Sequence, residues 1–310
     1  MNDGLVLRVT YALSRVVFFI LFSLLGLRRT VIRDNLARSF PGLDPAGQRN
    51  LRREFLRRQS ELAAEVLVAP RIDPGELRER VTLASPEVLA SATAPRPVIL
   101  AGSHMGNFEW AQLRVSLELG DRLLALYKPM HSARAERWFH RTRSRFGARL
   151  VPAKSVLAQL VQFRAAAAIG IIADQVPRSS PDRHWTAFLG QQTAFYMGAE
   201  ILGRALRSQV LFADLRRVAR GRYELRFVPL NQPEERQPVG VVTERYAREL
   251  ERPINADPAG WWWSHRRWKL PPPEAAARAR ESLRPCRTRS AGRERRSSAD
   301  RGSSVAPGRR

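Results

Sequence analysis

Cysteine is nearly absent from this chain of 310 residues, with Cys286 the only one. No internal disulfide and no multi-cysteine zinc site can form. Histidine is sparse as well: His104, His131, His140, His184 and His265 show neither His-Glu-x-x-His nor any paired spacing. A metal centre is therefore not expected. Gly-x-Gly-x-x-Gly and Walker loops are missing too, which removes the nucleotide-binding fingerprints, and no cofactor is expected. No internal repeat is present. Acidic residues are the last shortage, 29 against 53 lysines and arginines, for a net charge of +24. Such a surface selects anionic partners: nucleic acid, an acidic protein, a phosphorylated substrate or an anionic bilayer.

What is present suffices for a folded body. Hydrophobic residues make up 44% and charged residues 26%, the balance of a globular domain. Three regions are expected: a membrane-anchor helix over 1–29, a folded body over 30–273 and a disordered basic tail over 274–310. In the first, Val9 to Leu27 is apolar apart from Arg15 and small or hydroxyl residues, about the ~20 residues a bilayer span needs. Arg28-Arg29 follow in place of a small-residue cleavage site, so the segment reads as an uncleaved transmembrane anchor. Arg28, Arg29 and Arg33 outnumber Arg8, which puts the body on the cytoplasmic side. The tail, from Ala276 onward, holds eleven arginines against Glu281, Glu294 and Asp300. Its Ser/Gly/Pro-rich composition cannot build a core.

Ile32, Leu36 and Phe40 recur every four residues and predict a helix ending at Pro41-Gly42. Asp44 then caps a second helix with Pro45 in its first position. One face of that helix is dense in arginine (Arg49, Arg52, Arg53, Arg57, Arg58), either a solvated face or one lying against anionic headgroups. Beyond Pro86, apolar runs alternate with helical stretches: Val98–Ala101, Leu123–Tyr127, Leu150–Val151 and Ala168–Ala173 as strands, Ala135–Phe146 and Val156–Phe163 as helices. This pattern predicts an α/β fold with a mostly parallel central sheet flanked by helices. Val210–Arg216 and Tyr223–Val228 read as a hairpin at the sheet edge, and Val241 to Leu250 as a helix. The Trp261–Trp268 cluster reads as core or membrane-interface packing.

In such sheets the ligand site lies at the carboxyl ends of the strands. His104, Lys128 and Asp174 each fall just past one. Gly102-Ser-His-Met-Gly106 centres histidine where a hydrolase elbow needs serine, so that chemistry is excluded. His104 and Glu109 remain as a pair. Five residues apart on one helix they would point about 140° away from each other. With His104 on the turn and Asn107 capping the helix, Glu109 can reach back to one imidazole nitrogen. The other nitrogen is then left to take a proton from a hydroxyl.

The block Ser103-His-Met-Gly-Asn-Phe-Glu-Trp110 resembles the lipid A biosynthesis acyltransferases, part of the wider lysophospholipid acyltransferase group with its His-x4-Asp/Glu motif. The resemblance runs from the N-terminus to about Pro273. It includes Tyr127-Lys-Pro129, Arg145 to Pro152, Ala173-Asp-Gln175, Phe188-Leu-Gly190 and His265-Arg-Arg-Trp-Lys269. It departs at Lys128, where the family has arginine, and across Gln191–Gly198. The resemblance implies a glycerolphosphate-acyltransferase-like fold and an O-acyltransferase at the inner membrane, with its catalytic domain on the cytoplasmic side. The acyl donor would be acyl–acyl carrier protein, and the acceptor an anionic glycolipid, the Kdo-modified lipid A precursor. His104 would be general base and Glu109 its orienter. Lys128 and Arg149 would meet acceptor phosphates, and Asp174, Gln175 and Asn107 would complete the substrate-binding set. Three other readings stand beside it: the same chemistry on another glycolipid or lysophospholipid, a basic nucleic-acid-binding protein, and a membrane scaffold. Nucleic acid is not expected as a partner, because that reading explains neither the anchor nor the His–Glu block.

Overall fold

The computed structural model describes residues 3–93, 95–153, 163–177, 182–235 and 237–273. Helices come first, and each start has a cause in the sequence. After α1 (Asp3–Phe18), a π-helical turn (Phe19–Leu24) and α2 (Arg29–Ser39), Asp44 caps α3 (Pro45–Val68) by accepting from the Gly47 N–H at 2.6 Å. Asp73 does the same for α4 (Pro74–Arg80), and both helices carry proline at the first position, where its missing N–H costs nothing.

Next come β1 (Val81–Leu83), α5 (Pro86–Ala90), β2 (Val98–Gly102), α6 (Phe108–Leu119), β3 (Leu123–Tyr127), α7 (Ala133–Ser144), β4 (Arg149–Pro152) and β5 (Ala168–Ile172). A two-stranded ribbon of β6 (Arg183–Phe188) and β7 (Gln191–Tyr196) follows, then α8 (Gly198–Leu206), β8 (Val210–Ala219), β9 (Arg222–Pro229) and α9 (Val241–Ala256). The main sheet runs β1-β9-β8-β2-β5-β3-β4. It is parallel throughout except where β9 turns back antiparallel on β8. The expected α/β fold with a mostly parallel sheet is present. The hairpin is not at the edge, however. β8 pairs with β2 in the middle of the sheet, and the three-residue β1 covers the outer side of β9.

Residues of β2 alternate between two cores. Ile99 and Ala101 join the cluster with Phe55, Phe212, Tyr246 and Trp263, while Leu100 joins that of Leu7, Ala64, Trp110 and Leu113. Both faces are covered, which is why the parallel strands read as continuous apolar runs. The β6–β7 ribbon was not anticipated. Its turn needs positive φ at Leu189 (49°) and Gly190 (73°), the mark of a tight two-residue hairpin, and Leu189 gives no such signal in sequence. The helix expected at Val156–Phe163 lies outside the described residues save for Phe163, as does the tail from 274.

The transmembrane anchor must be corrected. Among the described residues no helix is long and apolar enough to cross a membrane. The reason is visible in α1, which packs on α3. Leu7, Tyr11 and Ser14 are buried, and the Tyr11 hydroxyl donates to Glu65 Oε1 at 2.8 Å. One stripe of the segment therefore belongs to the protein core. The opposite stripe, Val9, Leu13, Val16, Val17, Phe19, Ile20, Leu24, Leu25 and Leu27, is exposed.

Candidate active site

β2 ends at Gly102, whose carbonyl accepts from the Tyr246 hydroxyl at 2.8 Å and from the Ala173 N–H at 3.1 Å. The chain then makes a tight turn into α6. Gly106 has φ +58°, and a Cβ there would stand 3.1 Å from Tyr223 Cε1, so the turn requires glycine on both counts. Its N–H donates to the Gly260 carbonyl at 3.0 Å, and Met105 bridges to Trp261. The segment from Pro258 to Trp268 thus straps the turn from outside. Asn35 secures the strap, donating to the carbonyls of Trp263 and His265 at 2.8 Å each.

His104 is held on this turn by a carboxylate from the neighbouring strand end. Its backbone N–H donates to Asp174 Oδ2 at 2.8 Å, and Nδ1 lies 2.6 Å from Oδ1. The Trp261 indole N–H donates to Oδ2, also at 2.8 Å. Burial pushes the Asp174 carboxyl up, but the His104 charge and these hydrogen bonds outweigh burial and hold it down at about 2. An ionised carboxylate on Nδ1 keeps a proton on that nitrogen. Nε2 is thereby presented as the basic atom, and Gln175 Nε2 stands 3.0 Å from it. Phe108 and Trp262 meet the imidazole ring edge-on, with centroids 4.9 and 4.8 Å away.

Glu109 does not reach His104. Its two oxygens face Arg143 of α7, Oε2 to Nε at 2.8 Å and Oε1 to Nη2 at 2.5 Å. From the first turn of α6 its side chain runs along the sheet flank toward α7, not back over the turn. Asn107 caps α6, accepting from the Trp110 N–H at 3.0 Å, and donates to Glu65 Oε2 at 2.9 Å. Fully buried with both ends of its amide engaged, it cannot bind substrate. Asp174 is likewise buried, with both oxygens engaged by His104 and Trp261. Lys128 follows β3 on the same sheet edge as His104 and is exposed. Arg149 is exposed but begins β4, in register with Leu124 near the start of β3. That is the amino edge of the sheet, away from His104.

Glu65 and Trp261 escaped sequence reading. Glu65 accepts from Tyr11, Tyr223 and Asn107 within 2.7 to 2.9 Å. Burial raises its carboxyl above the usual range against the pull of those hydrogen bonds. Nothing in its arginine-rich helix singles it out. Trp261 did carry a signal, because a buried indole N–H needs an acceptor. Arg267, six residues further on, is buried over Phe195 with no hydrogen-bond acceptor among the described residues, and burial lowers it to about 10. Among the described residues no cluster of His, Cys, Asp or Glu could hold a metal.

Strand-end imidazole, buried orienting carboxylate and parallel sheet together define a class, an α/β enzyme with a histidine–acid pair at its carboxyl edge. The chain belongs to the bacterial lipid A biosynthesis acyltransferases, whose family profile matches residues 8–270. It is an acyltransferase (EC 2.3.1). No individually curated protein matches it.

Proposed function

We propose that this enzyme moves a fatty acyl chain from acyl–acyl carrier protein to a hydroxyl of a lipid A precursor, with His104 as general base and Asp174 as its orienter. The acceptor O–H gives its proton to His104 Nε2 while its oxygen bonds to the thioester carbon. The tetrahedral intermediate collapses, the C–S bond breaks, and the same proton leaves with the thiolate. Asp174 holds Nδ1–H and balances the imidazolium that forms. No acyl-enzyme is required. The single observation behind this reading is the 2.6 Å contact between Nδ1 and Asp174, which leaves Nε2 as the basic nitrogen.

Lys128 fits the acceptor's phosphate, though as a point charge and not a bidentate fork. The basic body offers a steering field to an acidic carrier protein. This reading places the enzyme on the cytoplasmic side of the inner membrane, and the exposed apolar stripe of α1 and its π-helical extension supports attachment to a membrane surface. Exposed Arg8, Arg15, Arg28, Arg29 and Arg33 border that stripe. This is how a helix lies in the interface of an anionic bilayer.

The test is transfer from labelled acyl–carrier protein to a lipid A precursor, with lysophospholipid and other glycolipid acceptors run in parallel. His104→Ala is expected to lower transfer by about 10²–10⁴-fold while vesicle binding stays intact. Full activity in that variant would sink the mechanism. Preference for a different acceptor would leave the base in place and change the substrate.

A further inference from the structure

The imidazole of His104 is walled on every side that the described residues reach. Asp174 takes Nδ1, Phe108 and Trp262 meet the ring edge-on, and only 11% of the side chain is exposed. The remaining approach is to Nε2, and the Gln175 amide nitrogen occupies it at 3.0 Å. With Nδ1–H committed to Asp174, Nε2 offers a lone pair, and the Gln175 N–H is its donor. A reacting hydroxyl must stand in the same place, since a general base takes a proton over about 2.6–3.2 Å. Gln175 and the acceptor oxygen cannot both be there.

We infer that Gln175 is a displaceable cap on the base: its amide fills the hydroxyl subsite of the resting enzyme and sets selectivity for the acceptor over water. The inference rests on the functional reading above. Gln175 itself is exposed, directly after the buried Asp174. Rotation of its side chain opens Nε2 without moving the carboxylate that orients the ring. The exchange is close to neutral for a hydroxyl that brings other contacts, because one hydrogen bond to Nε2 replaces another. A lone water gains nothing comparable. Without the cap, water has an open path. Its oxygen would bond to the acyl carbon, its proton would pass through Nε2 to the departing thiolate, and the C–S bond would break to give free fatty acid.

Two measurements on the full chain test this. The first needs no substrate: diethyl pyrocarbonate carbethoxylates an unprotonated imidazole nitrogen, and peptide mass spectrometry reads the rate at His104. Gln175→Ala is expected to raise that rate at least threefold, and Gln175→Glu, which puts an acceptor against Nε2, to lower it. An unchanged rate in the alanine variant overturns the cap. The second measures thioester hydrolysis without acceptor, and the KM for acceptor. Gln175→Ala should hydrolyse several-fold faster with an acceptor KM unchanged or lower. A several-fold higher KM with hydrolysis unchanged makes Gln175 an acceptor ligand and overturns the inference. Failure of the acyltransfer reading looks different: wild-type enzyme transfers nothing to any lipid acceptor, while the carbethoxylation rates still decide the cap.

Discussion

Two buried carboxylates near His104 have the same chemistry and opposite assignments. Asp174, 2% exposed after β5, meets the imidazole; Glu109, 5% exposed in the first turn of α6, meets a guanidinium. An arginine keeps its charge at every pH of interest, so the Glu109–Arg143 pair is fixed and serves to lock α6 to α7. A histidine gains and loses a proton, so the Asp174–His104 pair can change state during a reaction. The motif supplies both a histidine and an acid, yet the acid beside the histidine comes from another strand. The difference separates a pair whose charges are fixed from a pair whose protonation can change.

The largest break in that comparison is expected from Asp174→Asn. The His104 and Trp261 N–H groups hold the amide oxygen at the Oδ2 position, so the amide NH2 faces Nδ1 and can no longer fix a proton there; kcat should fall about 10²–10⁴-fold. The same variant has a signature in acid stability. The Asp174 carboxyl is lowered from 3.8 to about 2 on folding, so its contribution is complete above 3.8 and fades as pH falls toward 2. Acid-unfolding curves of wild type and variant should differ above pH 4 and converge below pH 2. Parallel curves would mean that Asp174 carries no such linkage.

Glu109→Gln comes next, and it should act on stability. It leaves Arg143 partly buried with only the Glu136 charge, which it does not hydrogen-bond, to offset its own, at a cost of about 3 kcal/mol. Thermal unfolding should show the loss, and Glu109→Gln with Arg143→Met should recover most of it. Activity of the single variant should track its folded fraction. If kcat instead falls as far as in Asp174→Asn while the unfolding midpoint holds, the two carboxylates have been told apart wrongly.

Most of the sheet was readable because parallel strands buried on both faces are nearly unbroken apolar runs, as in Val98–Ala101 and Ala168–Ile172. The three-residue β1 and the polar β6 (Arg183-His-Trp-Thr-Ala-Phe188) carry no such run. His104 was readable from its strand-end turn. Asp174 was readable at the same sheet edge but not as the partner of His104, because spacing along the chain does not pair a histidine with a carboxylate 70 residues away. The reading of α1 failed for another reason. Hydropathy counts apolar residues without asking where they face, and Leu7, Tyr11 and Ser14 lie on one stripe at helical spacing. That stripe is protein core, and only the opposite one is exposed.

The smallest expected effect belongs to Trp261, and it sharpens the comparison most finely. Asp174 has three donors, two on His104 and one on Trp261, whereas among the described residues Glu109 is held by Arg143. Trp261→Phe deletes the indole N–H and keeps an aromatic ring against Trp263 and Phe188. A hydrogen bond to a charged group contributes about 1.5–3 kcal/mol. The two donors of His104 remain, so the carboxylate keeps its partner and loses only part of its orientation. A fall in kcat of about tenfold with an unchanged KM for both substrates is therefore expected. Trp261→His, which can offer an N–H, should recover part of it. A rise in KM at constant kcat would show that the strap works on substrate and not through Asp174. The difference between the two carboxylates would then rest on His104 alone.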